Sequence, residues 1–265
     1  MLMINQSKIN IIASLVLFGC MPSVLLAQAV CNGFGPQTPR DIDQTNGDNK
    51  RVFSLAPPSN EMNLCNIHFH NSAEHKAKDF SISAGEGEHG GFKCAIGETL
   101  SKAELKPTKG KVCKNLKPGD TIEVHWVHSS CDVKPGKGLS SCLTDTCPNP
   151  ALRVETQVFT LVNDSNALDF TTMGYGEVSQ AGYQQAKNIP QNTGKPIEFL
   201  GSTTGPDYSD QSCSALQVSW SVRPQCAKVD INTVAKWCDS NQFEEDHAHG
   251  VRKLVTNPAL LSEID

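Results

Sequence analysis

The sequence predicts a mainly β single domain with few short helices and long loops linked by disulfides. Three observations predict it. Apolar residues recur in short alternating runs, helical periodicity is sparse, and the 265-residue chain carries 11 cysteines. A strand shows its side chains to opposite faces in turn, so a half-buried strand reads as alternation. The length suits one large domain, and no internal repeat, low-complexity tract or long linker divides it.

Taken along the chain, residues 1–29 read first as a leader. They hold one charge, Lys8, then a nearly unbroken apolar run from Ile11 to Leu26 that closes on Ala27-Gln28-Ala29. That small-x-small pattern is a signal-peptidase site, and the run is short for a membrane span and interrupted by Pro22. The expectation is a cleaved signal peptide over 1–29 and a single domain over 30–265, exported to a periplasm or secreted. Cleavage also removes Cys20, leaving ten cysteines. An even number in an exported chain reads as disulfides. Zinc thiolates would call for Cys-x-x-Cys pairs, whereas the nearest pairs are Cys142/Cys147 and Cys226/Cys238.

Leu64 to His70, Thr121 to His128, Leu152 to Val162 and Ala215 to Val222 read as strands. Gly176 to Lys187 and Ile231 to Cys238 are candidates for short helices. Pro57-Pro58, Gly90-Gly91 and Pro135-Gly136-Lys137-Gly138 punctuate as turns. Cysteines 113, 131, 142 and 147 fall in the connections, so the loops are what the disulfides are expected to fasten.

Charge excludes other classes. The net charge is −5 and no Lys/Arg run exceeds two residues, which argues against a nucleic-acid surface. With 38% hydrophobic residues and short apolar runs, the mature chain does not read as membrane-embedded.

Two strands carry metal-binding chemistry. In Cys65-Asn-Ile-His-Phe-His70, Asn66, His68 and His70 share one face. In Ile122-Glu-Val-His-Trp-Val-His128, Glu123, His125 and Val127 share a face, and His128 points the other way as a structural residue. Were these strands neighbours, His68, His70 and His125 would converge on one point. Three neutral imidazoles leave a tetrahedral zinc with an open fourth position, the arrangement of a catalytic rather than a structural site. Asn66 and Glu123 are on hand to accept from the outer ring nitrogens. Spacing alone does not say which strands are neighbours.

These residues resemble a known family. His68-Phe-His70-Asn-Ser-Ala-Glu74-His75 and Glu123-Val-His125-Trp-Val-His128 are similar to the zinc-histidine segments of α-class carbonic anhydrases. Gln37-Thr-Pro-Arg-Asp41-Ile42, Gly201-Ser-Thr-Thr204, Cys213 and Trp220 resemble further blocks of that class, in the same order. The run Asn63-Leu-Cys-Asn-Ile-His-Phe-His70, the cysteine-containing insertion before Glu123, Asn163-Asp164 and Trp237-Cys238 instead resemble δ-class carbonic anhydrases, including bacterial exported members.

The resemblance implies an α-carbonic-anhydrase-like domain with a large central, mostly antiparallel sheet. It implies reversible hydration of CO2 to bicarbonate and a proton by attack of zinc-bound hydroxide. His68, His70 and His125 would ligate Zn2+, with Asn66, Glu123 and a backbone carbonyl orienting them. Glu74 would accept from a threonine hydroxyl that aims the hydroxide. The loop is one residue shorter here, which leaves that role between Thr203 and Thr204. Val127, Trp220 and Thr204 would line the substrate pocket, while Glu155 falls where that class has a further pocket valine. Cys31 would pair with Cys213. The proton shuttle stays open among His75, His89, His247 and His249, with His75 read as structural and the His247–His249 stretch as a solvated surface. Two other readings are a catalytically silent carbonic-anhydrase-like binding protein and another exported zinc hydrolase or esterase; no His-Glu-x-x-His helix supports the latter.

Overall fold

β-branched and aromatic residues fill the alternating runs, and in the computed structural model, which describes residues 31, 33–51, 53–85, 90–203 and 213–265, these runs are strands. The expected leader, its Cys20, His89 and Thr204 lie outside the described residues. In chain order the strands are β1 (Asn63–Asn71), β2 (Ile82–Ser83), β3 (Phe92–Lys93), β4 (Thr121–Ser129), β5 (Leu152–Val162), β6 (Tyr175–Val178), β7 (Gln184–Ala186), β8 (Ile197–Thr203), β9 (Leu216–Val222) and β10 (Ala227–Asp230). One α-helix, α1 (Ile231–Asp239), and several short 3-10 turns complete the described elements.

The central sheet runs β1-β4-β5-β9-β8, with β10 also beside β5. β1–β4, β4–β5 and β8–β9 are antiparallel, whereas β9 and β10 both run parallel to β5. They share one edge of this long strand, β9 along Arg153–Thr156 and β10 along Phe159–Val162. Between them Pro224, which has no N–H for a ladder, falls in the short break where the chain steps from one to the other.

β1 contains one irregularity with consequences. Leu64 pairs with His128 and Asn66 with Val127, so Cys65 is the unopposed residue of a β-bulge. The bulge lets Leu64, Ile67 and Phe69 join one apolar cluster with Trp126 and Phe159, while Cys65 joins the cluster on the opposite side with Val127, Val154 and Trp220. Each fully buried large apolar side chain contributes about 1.5–3 kcal/mol. The sheet thus separates two cores.

On the first core lies α1, amphipathic in its buried Ile231, Val234, Ala235 and Trp237 and capped by Asp230, whose carboxylate accepts from Asn232 N at 3.1 Å. The expected helix over Gly176–Lys187 is instead the β6–β7 hairpin. Gly174, Gly176 and Gly182 weaken a helix there, and Gly182, with φ of +90°, serves the turn, while Tyr175 Oη donates to Gln184 Oε1 at 2.6 Å across the pair.

Five disulfides join Cys31–Cys213, Cys65–Cys142, Cys94–Cys226, Cys113–Cys238 and Cys131–Cys147. Most fasten connections, and Cys65–Cys142 ties a loop to the bulge itself. After α1 the chain returns as an extended segment beside β1. His249 N donates to Phe69 O at 2.9 Å and Asn71 N to His249 O at 2.8 Å. Among the described residues no helix is long and apolar enough to cross a membrane.

Candidate metal centre

The β1–β4 register sets His68 directly opposite His125 and His70 opposite Glu123. Directly opposed residues face the same side of a sheet, so His68, His70 and His125 converge. Their ring centroids lie 5.3, 5.0 and 4.9 Å apart, and each offers a nitrogen within 4.8 Å of the others'.

One nitrogen of each ring is held by an acceptor. His68 Nδ1 lies 2.6 Å from Asn66 Oδ1, His70 Nδ1 lies 2.7 Å from the Gly250 carbonyl, and His125 Nε2 lies 2.6 Å from Glu123 Oε1. A carbonyl or carboxylate can only accept, so each of these nitrogens carries the proton. The opposite nitrogens, Nε2 of His68 and His70 and Nδ1 of His125, are left with free lone pairs. His125 Nδ1 and His68 Nε2 stand 3.2 Å apart. Two imidazoles on one tetrahedral zinc, each about 2.0–2.1 Å from the ion, would place their nitrogens about 3.3 Å apart. The donor set fits a zinc ion.

Burial also suits neutral imidazoles. It pushes His68 well below the usual histidine range, with neighbouring histidines adding to the effect, and brings His70 down to about 4 despite the opposing pull of Glu74. Metal ligation requires that neutral form.

Glu123 supports more than His125. It is fully buried, and it also accepts from His75 N at 3.0 Å and His75 Nδ1 at 2.8 Å. Burial would raise its pKa, but His75 and the N–H bonds from His75 and His125 outweigh this and hold it well below the carboxylate range. His75 therefore packs behind the centre, its ring 4.7 Å from that of Trp220.

Glu74 is buried beside His70, with Oε1 3.6 Å from His70 Nδ1. Its hydrogen-bond partner among the described residues is Arg252. Arg252 N and Nε donate to Oε1 at 2.9 and 3.3 Å, and Nη2 donates to Oε2 at 3.3 Å. Burial raises the Glu74 pKa, but Arg252 and the nearby histidines bring it down to about 2. Thr203 ends β8 with its carbonyl accepting from Ser214 Oγ, and its hydroxyl is not among the partners of Glu74 in the described residues.

On the apolar side, Val127 and Trp220 are buried on the face that carries His125, and the Trp220 ring lies 5.2 Å from the imidazole. Glu155 is not part of that wall. It points to the opposite face, where Ser221 Oγ donates to it at 2.6 Å and Arg153 lies 3.4 Å away. Val154 and Val158, opposite Val127 and Glu123, take the wall positions, with Thr156 between them. The Thr156 hydroxyl is buried without a partner among the described residues.

The His247–His249 stretch was expected to be a solvated surface, and here the structure differs at His249. His247 is half-buried beside Asp246, whereas His249 sits 5.7 Å from the His68 ring and 6.0 Å from the His70 ring, held by Glu245 at 2.9 Å. The same segment delivers the Gly250 carbonyl and Arg252. Alternation in Glu245-Asp-His247-Ala-His249 hinted at an extended strand, though not at its neighbour. Cys31 and Cys213, paired by resemblance, are bonded to each other.

Residues 59–233 match the family model for delta carbonic anhydrase. No curated protein matches the chain in sequence. Among solved structures it is similar to an α-carbonic anhydrase from Thermovibrio ammonificans, solved in complex with the inhibitor sulfanilamide, at 14% identity over 87% of this chain and 88% of that one, with a TM-score of 0.30. It is also similar to the Photobacterium profundum α-carbonic anhydrase, at 16% identity over 86% and 88% of the two chains, with a TM-score of 0.27. His249, Gly250 and Arg252 lie beyond the segment that matches the family model.

Proposed function

Because this chain belongs to the delta carbonic anhydrase family, we propose that it hydrates CO2 reversibly to bicarbonate and a proton at a zinc ion held by His68, His70 and His125. The observation that carries the reading is the set of three converging imidazoles, each with its outer nitrogen engaged by an acceptor. When bound, zinc supplies a Lewis acid that brings the pKa of a water down to roughly 7.

The residues of the chain do the rest. Asn66, the Gly250 carbonyl and Glu123 fix the ring tautomers and aim the free lone pairs at a common point. Glu74, acceptor-only when ionised, obliges a threonine hydroxyl of the Thr203–Thr204 loop to donate to it. That hydroxyl oxygen can then only accept, which orients a nucleophilic water species toward the substrate. Val127 and Trp220 offer an apolar wall against which CO2 lies without competing water. Export to a periplasm or the medium after cleavage at residue 29 accounts for five disulfides, which persist in oxidising compartments.

Metal analysis and stopped-flow CO2 hydration on protein comprising residues 30–265 test the reading. The expected result is one zinc per chain, and turnover that is lost in His125→Ala. Absence of bound zinc, or turnover unchanged in that variant, would overturn it.

A further inference from the structure

We infer that Arg252, outside the family-matched segment, is a positioning residue for catalysis, acting through Glu74; this rests on the function proposed above. Glu74 is 1% exposed, and a carboxylate that deeply buried persists as an ion only beside a compensating charge and several donors. Arg252 supplies both. Its guanidinium spans the two carboxylate oxygens while its own backbone N–H takes a second site on Oε1.

An ionised carboxylate has about four lone-pair sites. Among the described residues Arg252 occupies two on Oε1 and one on Oε2, so the position left for a further donor is on Oε2. That single free site is what fixes the direction from which a threonine hydroxyl must approach. The planar fork also sets the carboxylate plane, which a point charge does not.

Arg252 is placed for this by the segment that serves His70. Gly250 O accepts from His70 Nδ1, and two residues on, Arg252 N reaches Glu74, with the buried Val251 between them. One extended stretch therefore ties a candidate ligand and a candidate catalytic carboxylate to each other.

Three variants separate this role from mere attachment of the tail: Arg252→Gln, Arg252→Lys and Arg252→Gln with Glu74→Gln. In zinc-loaded protein Arg252→Gln is expected to lower kcat roughly 10- to 100-fold, the usual size for a lost supporting partner, with KM and zinc content unchanged. Arg252→Lys, which restores charge without the fork, recovers part of kcat. In metal-free protein the double variant is expected to unfold at higher urea than Arg252→Gln alone, because neutralising Glu74 removes the unpaired buried charge. Should Arg252→Gln not fold, recovery of folding in the double variant supports the inference. Unchanged kcat in Arg252→Gln while the wild type is active, or additive effects in the double variant, overturns it. An inactive wild type with non-additive unfolding instead removes the proposed function and leaves the Arg252–Glu74 coupling standing.

Discussion

Glu123 Oε1 lies 2.6 Å from His125 Nε2, and the same oxygen lies 2.8 Å from Nδ1 of His75. One buried carboxylate therefore orients a candidate ligand and anchors the histidine packed behind it. Glutamine at this position is nearly isosteric but brings two N–H groups of its own. Every donor now pointing at Glu123 would then meet either one carbonyl oxygen or another donor. Glu123→Gln is expected to weaken zinc binding about 10- to 100-fold, read from competition with a chelator. Unchanged affinity would mean that His125 does not need this acceptor.

Zinc itself should act on stability without creating the fold. The sheet, its two cores and five disulfides stand independently of the three imidazoles, so metal-free protein is expected to melt cooperatively. Zinc at about 1,000 times its dissociation constant adds about 4 kcal/mol. Calorimetric melts with and without chelator check this, and His125→Ala is expected to lose most of the zinc-dependent shift. Metal-free protein lacking any cooperative transition would contradict the independence of the scaffold.

The four strands β1, β4, β5 and β9 were legible because each alternates over seven or more residues and sends at least one face into an apolar core. The histidine triad followed from the same alternation once two strands were assumed adjacent. β8 and β10 were not legible. β8 carries Gly201 in its interior and the exposed Glu198, and β10 is four residues long, so neither shows a clear period. Arg252 escaped for another reason. Its contact with Glu74 spans 178 residues of sequence and is made by an extended tail with no pattern to name its neighbour.

His128 shows how the opposite face of β4 responds to pH. It is 1% exposed, its Nδ1 donates to Trp126 O at 3.1 Å, and its Nε2 has no partner among the described residues. Burial lowers its pKa to about 4, and Arg153 adds to the effect. Above the unfolded value of about 6.5 neither state holds the proton, so His128 leaves stability unaffected there. As pH falls from about 6.5 to 4 the unfolded chain takes up the proton and the folded chain does not, so stability drops by ~3 kcal/mol. His68 and His70 act in the same direction in metal-free protein. Urea midpoints of metal-free His128→Gln are expected to fall less steeply over this range than those of the wild type. Equal slopes would assign the pH dependence elsewhere.

Cys65, the extra residue of the β1 bulge, is clamped by the loop that follows β4. It is bonded to Cys142, and its carbonyl accepts from Gly136 N at 3.0 Å and Ser141 Oγ at 2.8 Å. Asn66 Nδ2 donates to Gly136 O at 3.0 Å, while its Oδ1 holds His68. The disulfide therefore braces the residue that orients one candidate ligand, and does more than shorten the unfolded chain. Replacing Cys65 and Cys142 together by serine leaves four disulfides and the two cores in place. The cost in stability is expected to be about 2–4 kcal/mol, from restored freedom of the unfolded state. A merely entropic staple would leave zinc affinity untouched, whereas a brace on Asn66 predicts affinity weaker by several-fold, approaching tenfold. Urea unfolding and chelator competition on the same double variant separate the two effects. Affinity equal to that of the wild type would reduce Cys65–Cys142 to a staple and leave Asn66 held by Gly136 alone.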